Sequence, residues 1–144
     1  MPIQTGALPW RVTRGKRAEV LLVTGRRSGR WMIPKGWPMT GKSLAQAAEQ
    51  EAFEEAGVEG KIDPDPIGQF HHVKQGTIIG SMKVRILVHP MMVERELADW
   101  PEHGQRQRKW FKLKDAAEQV DSQELGAMIL SLRDRMGPKA TGTG

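Results

Sequence analysis

The amino-acid sequence predicts an α/β fold of the α+β kind, in which one mixed β-sheet lies between helices. Strand-like runs come first, a capped helix follows, and long strand-like runs then precede a helical C-terminal part. Connections of hairpin length favour a mixed sheet over a parallel, doubly wound one. A chain of 144 residues suffices for one domain with a core. We expect a single domain over residues 1–136 and a disordered tail over residues 137–144.

Apolar runs near the N-terminus predict the first strands. ALPWRV (7–12) and AEVLLVT (18–24) contain β-prone residues, and the intervening TRGK is typical of a hairpin turn. RWMI (30–33) predicts a short third strand that ends before Pro34. The chain therefore opens with a hairpin and a further strand.

A helix is predicted over residues 44–56. Ser43 is a suitable N-cap, and Gln46 lies three residues later, which is the spacing of a capping box. Gly57 follows at the place where a glycine ends many helices. These signals fix both ends of the helix.

The second half of the chain predicts three more strands and a helical end. PIGQFHHVKQ and SMKVRILVHPMMVE read as two long strands around turns at Gly76 and Gly80. Pro90 predicts a bulge or a sheet edge, since proline donates no ladder hydrogen bond. RQRKWFKL predicts another strand, and DAAEQV and SQELGAMILSLRDRM predict helices, the last with apolar residues at helical spacing.

The composition limits the class of protein. A net charge of +5 suits polyanions such as nucleotides, inositol phosphates or RNA, although it is equally consistent with a solvated cationic surface. The absence of cysteine excludes disulfides and thiolate metal sites, so oxygen or imidazole must hold any metal. No apolar run approaches the roughly 20 residues of a membrane span, and the N-terminus lacks a signal pattern. We expect a cytoplasmic protein with no membrane partner.

Three carboxylates share one stripe of the predicted helix. Glu51, Glu54 and Glu55 stand at i, i+3 and i+4, near the C-terminal end, where negative charge is unfavourable. A solvated helix surface is one interpretation of this pattern. The other is a divalent cation, Mg²⁺ or Mn²⁺, which prefers such oxygen ligands and shares its remaining positions with water and substrate phosphates.

The segment from Gly36 to Val58 resembles the Nudix box of the MutT-like Nudix hydrolases, G-x5-E-x7-R-E-U-x-E-E-x-G-U, where U is apolar. The positions that match carry Gly36, Glu51, Glu54, Glu55, Gly57 and Val58, with Ala52 as a small first U. Lys42 and Gln50 depart from the pattern, which has Glu and Arg there. The segments RWMIPKGW, ADWPE and RQRKWFKLKDAAE further resemble the branch of diphosphoinositol polyphosphate and diadenosine polyphosphate phosphohydrolases.

The resemblance implies an α/β/α sandwich and a pyrophosphohydrolase that cleaves a diphosphate linkage in a nucleoside diphosphate-X type substrate. Dinucleoside polyphosphates and diphosphoinositol polyphosphates are the implied substrates. The resemblance assigns catalysis and metal binding to the box glutamates. Glu51 and Glu55 are implied as direct ligands of Mg²⁺ or Mn²⁺, and Glu54 as a ligand or as a partner of bound water.

Substrate binding is predicted for basic and aromatic residues near the box. Comparison with the polyphosphate branch favours Arg26, Arg85 and Arg106 as phosphate ligands. Trp37 could stack on a base or pack against the box helix, and Gln4 and Gly6 stand where the inositol branch carries basic residues. The full set predicted to bind substrate is Arg26, Lys35, Gly36, Trp37, Arg85 and Arg106.

An alternative function is a Nudix-like module that binds or senses a nucleotide or RNA after losing catalysis. Gln50 and Lys42 motivate this alternative, because they replace charged residues of the box. A triphosphorylated or capped RNA 5′ end is a less favoured substrate of the enzyme. The general base stays open among Glu94, Glu96, Asp99, Glu102 and Glu54. Monomer and homodimer are both compatible with the sequence.

Overall fold

The computed structural model describes residues 1–77 and 80–136, so the predicted tail over 137–144 lies outside the described residues. Eight strands and three α-helices are described, with a π-helical turn at Ala52–Ala56. The strands are β1 Ile3–Val12, β2 Ala18–Thr24, β3 Trp31–Met32, β4 Lys35–Gly36, β5 Val58–Ile62, β6 Gly68–Thr77, β7 Gly80–Glu96 and β8 Arg108–Lys112. The α-helices are α1 Leu44–Glu51, α2 Leu113–Gln119 and α3 Gln123–Arg135. Within residues 1–77 and 80–136, no helix is long and apolar enough to cross a membrane.

The strands form one mixed sheet. Its main order is β3-β2-β1-β7-β5, while β4 pairs with β1, β6 with β7 and β8 with β2. The β1–β7 pair is parallel, and the other named pairs are antiparallel. The prediction of a mixed sheet is therefore confirmed.

Helices cover both faces of the sheet, which gives three layers. α2 and α3 pack against one face around a core that includes Leu8, Ile86 and Ile129. The small residues of α1 and the π-helical turn, such as Ala48 and Ala52, pack against the other face. Along β2, alternate residues enter the two cores and nearly all are buried, as expected for a strand covered on both sides.

The helix that carries the glutamates has the predicted ends. Ser43 accepts a hydrogen bond from the Gln46 backbone, and the Gln46 side chain accepts one from the Ser43 backbone, so the capping box is confirmed. Gly57 has a φ of 64°, a left-handed conformation that glycine adopts without strain. The final turn is π-helical rather than α-helical, and π-helical turns inside helices are frequent at functional sites.

The prediction of a bulge or sheet edge at Pro90 is wrong. Pro90 lies inside β7, which pairs with β1 along one side. On the other side, Ile67 donates to Val88 and Asp63 donates to Pro90, so the pairing changes from β6 to β5 at this point. The amide and the carbonyl of a strand residue face the same side, and the carbonyl of Pro90 faces this gap between β6 and β5. The N–H that proline lacks would have faced the same gap, so no pairing with β5 or β6 is lost.

Candidate active site

A cleft of about 440 Å³ opens beside the glutamate helix. Its walls come from β1, the segment from the β2–β3 turn to the residues after β4, the glutamate helix, β6 and the loop before β8. The lining residues are Gln4, Arg26, Met32, Lys35, Gly36, Trp37, Pro38, Met39, Glu51, Glu55, Lys74, Glu102 and Arg106. Acidic, basic and apolar side chains thus meet in one cavity.

Glu51 and Glu55, which we call the carboxylate pair, form the acidic part of the cleft. Glu51 ends α1, and Glu55 lies one turn later with only 5% of its surface exposed. The two carboxyl groups hydrogen-bond each other. Burial and this hydrogen bond raise the pKa of Glu55 to about 9, and burial also raises the pKa of Glu51. The carboxylate pair therefore shares a proton when no cation is bound.

Gly36 makes room for the carboxylate pair. A Cβ atom at this position would lie 2.5 Å from Cδ of Glu51 and 2.7 Å from each of its oxygens. Backbone pairing of Gly36 with Thr5 holds this close approach, and the Thr5 hydroxyl donates to the carbonyl of Leu44 at the start of α1. The strand and the helix are thereby fixed to each other at the cleft.

The carboxylate pair suits a hard divalent cation, whose charge would replace the shared proton. Among residues 1–77 and 80–136, no group of three or more acidic or histidine side chains is spaced to hold a metal ion. The side chain of Glu54, the third predicted ligand, does not belong to the cleft lining. Two carboxylates leave the other positions of Mg²⁺ to water and substrate phosphates, which is its usual coordination.

Arg106 connects the carboxylate pair to the loop before β8. Its guanidinium is 10% exposed, donates to Glu102 at 2.8 Å and to the Thr24 carbonyl at 3.0 Å, and lies 3.9 Å from Glu55. On another wall, burial lowers the pKa of Lys35, while nearby Glu55 acts in the opposite direction. The cleft therefore holds cations close to the carboxylate pair.

The loop between β7 and β8 is fastened to the C-terminal end of the glutamate helix. The Glu102 amide donates to the Glu54 carbonyl at 3.0 Å, and Arg108 donates to the Ala56 carbonyl at 2.9 Å. The same guanidinium stacks on Trp100, with its carbon 3.9 Å from the ring centroid. These contacts satisfy helix carbonyls that otherwise lack partners and set the position of Glu102 and Arg106.

Most of the predicted substrate-binding residues line the cleft, namely Arg26, Lys35, Gly36, Trp37 and Arg106. Arg85 does not. It lies between Val84 and Ile86, whose side chains enter the core beneath α3, so Arg85 faces the opposite side of the sheet. Its Nε atom is buried without a hydrogen-bond partner among the residues that the structure describes.

Three other basic residues of the strands and loops have different neighbours. Arg30 forms an exposed ion pair with Asp121, and Arg108 caps the helix as described above. Lys83 opposes Val73 in the β6–β7 hairpin. None of these three belongs to the cleft lining in the described parts of the chain.

Sequence reasoning missed Lys74 as a cleft residue. Lys74 opposes Met82 in the β6–β7 hairpin, and Met82 packs against the core beneath α3, so this register turns Lys74 towards the same side of the sheet. Met32 and Met39 were also missed, because isolated methionines carry no functional signal. With Trp37 and Pro38 they form the apolar lip of the cleft, as we call these four residues.

The two departures from the box pattern lie outside the cleft. Gln50 lines a separate groove with Glu49 and Phe53 on the outer side of the helix. Lys42 is exposed in the turn before the helix. An arginine of the loop before β8, Arg106, lies 3.9 Å from Glu55. A charged neighbour for Glu55 is therefore present although residue 50 is Gln.

A family model described as the NUDIX domain matches residues 3–130. Nudix hydrolase 21, chloroplastic, of Arabidopsis thaliana is 34% identical over 117 residues, covering 78% of this chain and 57% of that relative. The diphosphoinositol polyphosphate phosphohydrolase 3-beta of Bos taurus is 37% identical over 101 residues, covering 68% and 57%. The chain thus spans just over half the length of these relatives. Its predicted cytoplasmic location stays a prediction, since the plant relative is named chloroplastic.

The backbone is similar to solved structures over nearly its whole length. An Ap4A hydrolase of C. elegans, solved as a binary complex, superposes with a TM-score of 0.69 at 22% identity and covers 94% of this chain and 98% of that one. A likeness at this level of identity shows the fold. The α/β/α arrangement expected from the sequence is therefore confirmed.

Proposed function

Because the chain belongs to the Nudix family, we propose that it is a divalent-metal-dependent pyrophosphohydrolase with Mg²⁺ or Mn²⁺ as cofactor. The proposed reaction is hydrolysis of a diphosphate linkage in a nucleoside diphosphate-X type substrate. A dinucleoside polyphosphate, such as a diadenosine polyphosphate, is the favoured substrate. A single domain over residues 1–136 would carry the whole site.

One observation carries this proposal, namely that several cations line the same cleft as the carboxylate pair, in which Glu55 is buried and Glu51 half-buried. Burial raises the pKa of both carboxyl groups, and repulsion from Glu51 adds to the rise for Glu55. A divalent cation would stabilise both as anions. Arg26, Lys35, Lys74 and Arg106 would then neutralise the phosphates that complete the coordination of the cation.

In this mechanism Glu51 and Glu55 would hold the metal. When bound, the cation would polarise the phosphoryl group and lower the pKa of a water ligand. Arg106 and Lys35 orient the diphosphate from the adjoining walls of the cleft. Of the acidic residues between 94 and 102 left open as general base, only Glu102 lines the described cleft, and we assign to it the acceptance of the proton from the attacking water.

The cleft favours a nucleotide over a diphosphoinositol substrate. A highly phosphorylated inositol needs cations on every side, whereas one side of this cleft is the apolar lip and another carries the neutral Gln4. Trp37 is 42% exposed, so its ring is available to stack on a base. Trp10 and Trp31 pack instead against the main core, so Trp37 is better placed than either of them to stack on a base.

A binding module that has lost catalysis remains the second candidate, motivated by Gln50. The position of Gln50 outside the cleft weakens this motive. An RNA 5′ end is a further possible ligand of the same cations, and either candidate is compatible with a monomer or a homodimer.

A substrate panel separates these functions. Diadenosine tetraphosphate, diphosphoinositol pentakisphosphate, triphosphorylated RNA and a nucleotide sugar would be incubated with the protein and Mg²⁺, and the products identified by chromatography. We expect the fastest turnover with diadenosine tetraphosphate. Saturable binding of one of these ligands without turnover of any would favour the binding module.

A further inference from the structure

Gln4 presents a buried amide group to the cleft, and its oxygen makes no hydrogen bond with the described protein. It lies in β1, only 2% of its surface is exposed, and it belongs to the cleft lining. Its Oε1 atom is buried and has no partner among residues 1–77 and 80–136. Burial of an unpaired amide is costly, so such groups usually have a water or ligand partner.

Strand register brings Gln4 close to Trp37. Thr5 opposes Gly36 and Gly6 opposes Lys35 in the antiparallel β1–β4 pair. Gln4 directly precedes Thr5 and Trp37 directly follows Gly36, so both residues lie at the same end of this antiparallel pair, and both line the cleft. The exposed indole of Trp37 and the buried amide of Gln4 therefore belong to neighbouring parts of one cleft.

The chemistry of an amide selects its ligand. Gln offers an N–H donor beside a carbonyl acceptor, so a ligand that places a donor beside an acceptor can pair with both atoms at once. Phosphate oxygens are acceptors alone and would leave Oε1 without a partner. The edges of nucleobases supply the complementary pair, and adenine does so with its N6 amino group beside a ring nitrogen, the usual partner of Gln and Asn side chains.

We propose that Gln4 and Trp37 form a nucleobase subsite, in which Trp37 stacks on an adenine and the Gln4 amide hydrogen-bonds its N6 edge. This inference rests on the proposed function only in placing a nucleotide in the cleft. Gln4 is thereby a specificity residue that contacts the base, at a distance from the reacting phosphates. A site built to satisfy a buried amide discriminates strongly against ligands that lack the matching group.

The test measures binding of nucleoside monophosphates, which contain no diphosphate linkage to hydrolyse. AMP and purine riboside 5′-monophosphate, which lacks the N6 amino group, would be titrated by calorimetry with EDTA present. We expect the parent to bind AMP about tenfold more tightly than the analogue, as one well-placed base contact provides. Gln4→Met should bind both ligands equally, and Gln69→Met, on the exposed part of β6, should behave as the parent does.

A second variant and a stability measurement separate binding from folding. Trp37→Ala should weaken AMP and the analogue by the same factor, since stacking does not involve the amino group. Gln4→Met should not lower the urea midpoint, because methionine removes an unpaired buried amide and keeps its volume. Failure of the parent to bind AMP, or the same AMP preference in Gln4→Met as in the parent, would overturn the proposal. Neither result depends on hydrolysis, so the proposed function is judged separately by the substrate panel.

Discussion

Replacement of Gly36 by alanine perturbs the carboxylate pair without touching either carboxylate. Gly36 does not belong to the glycines with positive φ, so alanine can adopt its backbone conformation. The new Cβ would lie 2.5 Å from Cδ of Glu51, whereas ordinary contacts begin at 3.4 Å. The carboxylate must therefore retreat by about 0.9 Å, which is the difference between these two distances.

The size of the expected effect follows from that displacement. A misplacement of about 1 Å in a catalytic group can lower the rate about 100-fold. The fold should be little affected, because the group that moves is the end of a flexible, half-buried side chain. We expect the free energy of unfolding to change by less than about 1 kcal/mol. Activity and stability should thus respond very differently to one methyl group.

The assay is the initial rate of diadenosine tetraphosphate hydrolysis as a function of Mg²⁺ concentration, with urea unfolding of the same preparations. Gly15→Ala is the matched control, because its Cβ would find its nearest neighbour, Thr13, at 3.8 Å. We expect parent-like rates for Gly15→Ala and a loss of rate with weaker Mg²⁺ dependence for Gly36→Ala. Parent-like kinetics of Gly36→Ala would refute the idea that Gly36 makes room for a functional Glu51.

Three other perturbations test the proton on Glu55, the role of Glu54 and the role of Arg108. The pKa of Glu55 is raised from 4.5 to about 9 in the folded protein, so the metal-free folded state retains a proton that the unfolded state loses. The free energy of unfolding in EDTA should therefore fall as the pH rises from 4.5 to 9, and Mg²⁺ should reduce this dependence on pH. A free energy of unfolding that does not change with pH, measured by urea unfolding in EDTA, would contradict the proton shared by Glu51 and Glu55. Glu54→Gln should lower turnover less than Glu55→Gln in rate assays, because Glu54 lies outside the cleft lining, and equal losses would oppose this ranking. Arg108→Lys should lower the free energy of unfolding by about 1–3 kcal/mol, through lost hydrogen bonds to helix carbonyls, and an unchanged urea midpoint would count against that role.

Local sequence signals predicted the elements whose position depends mainly on their own residues. AEVLLVT coincides with β2, and the Ser43 and Gln46 signals mark the start of α1. β4 and β5 were not predicted, because two residues are too few to show a pattern and VEGKI is a short stretch with a glycine at its centre. They exist through pairing with β1 and β7, which sequence periodicity does not report.

The candidate site was predictable where residues adjoin in the sequence and less so where strand register decides. Glu51 and Glu55 are four residues apart on one helix, so their proximity follows from helical geometry. Arg85 and Lys74 lie on neighbouring strands, and a shift of one residue exchanges the faces of a strand. Only the paired register shows that Lys74 and Arg85 point to opposite faces of the sheet, and of the two only Lys74 lines the described cleft.

Whether the carboxylate pair is a metal-dependent hydrolytic site is tested by the hydrolysis of diadenosine tetraphosphate by the parent and by Glu55→Gln, each with EDTA and with saturating Mg²⁺. We expect turnover only in the parent with Mg²⁺, with both proteins giving the same circular dichroism spectrum. Equal turnover by Glu55→Gln, or turnover by the parent in EDTA, would contradict the assignment of the carboxylate pair as a metal-dependent hydrolytic site.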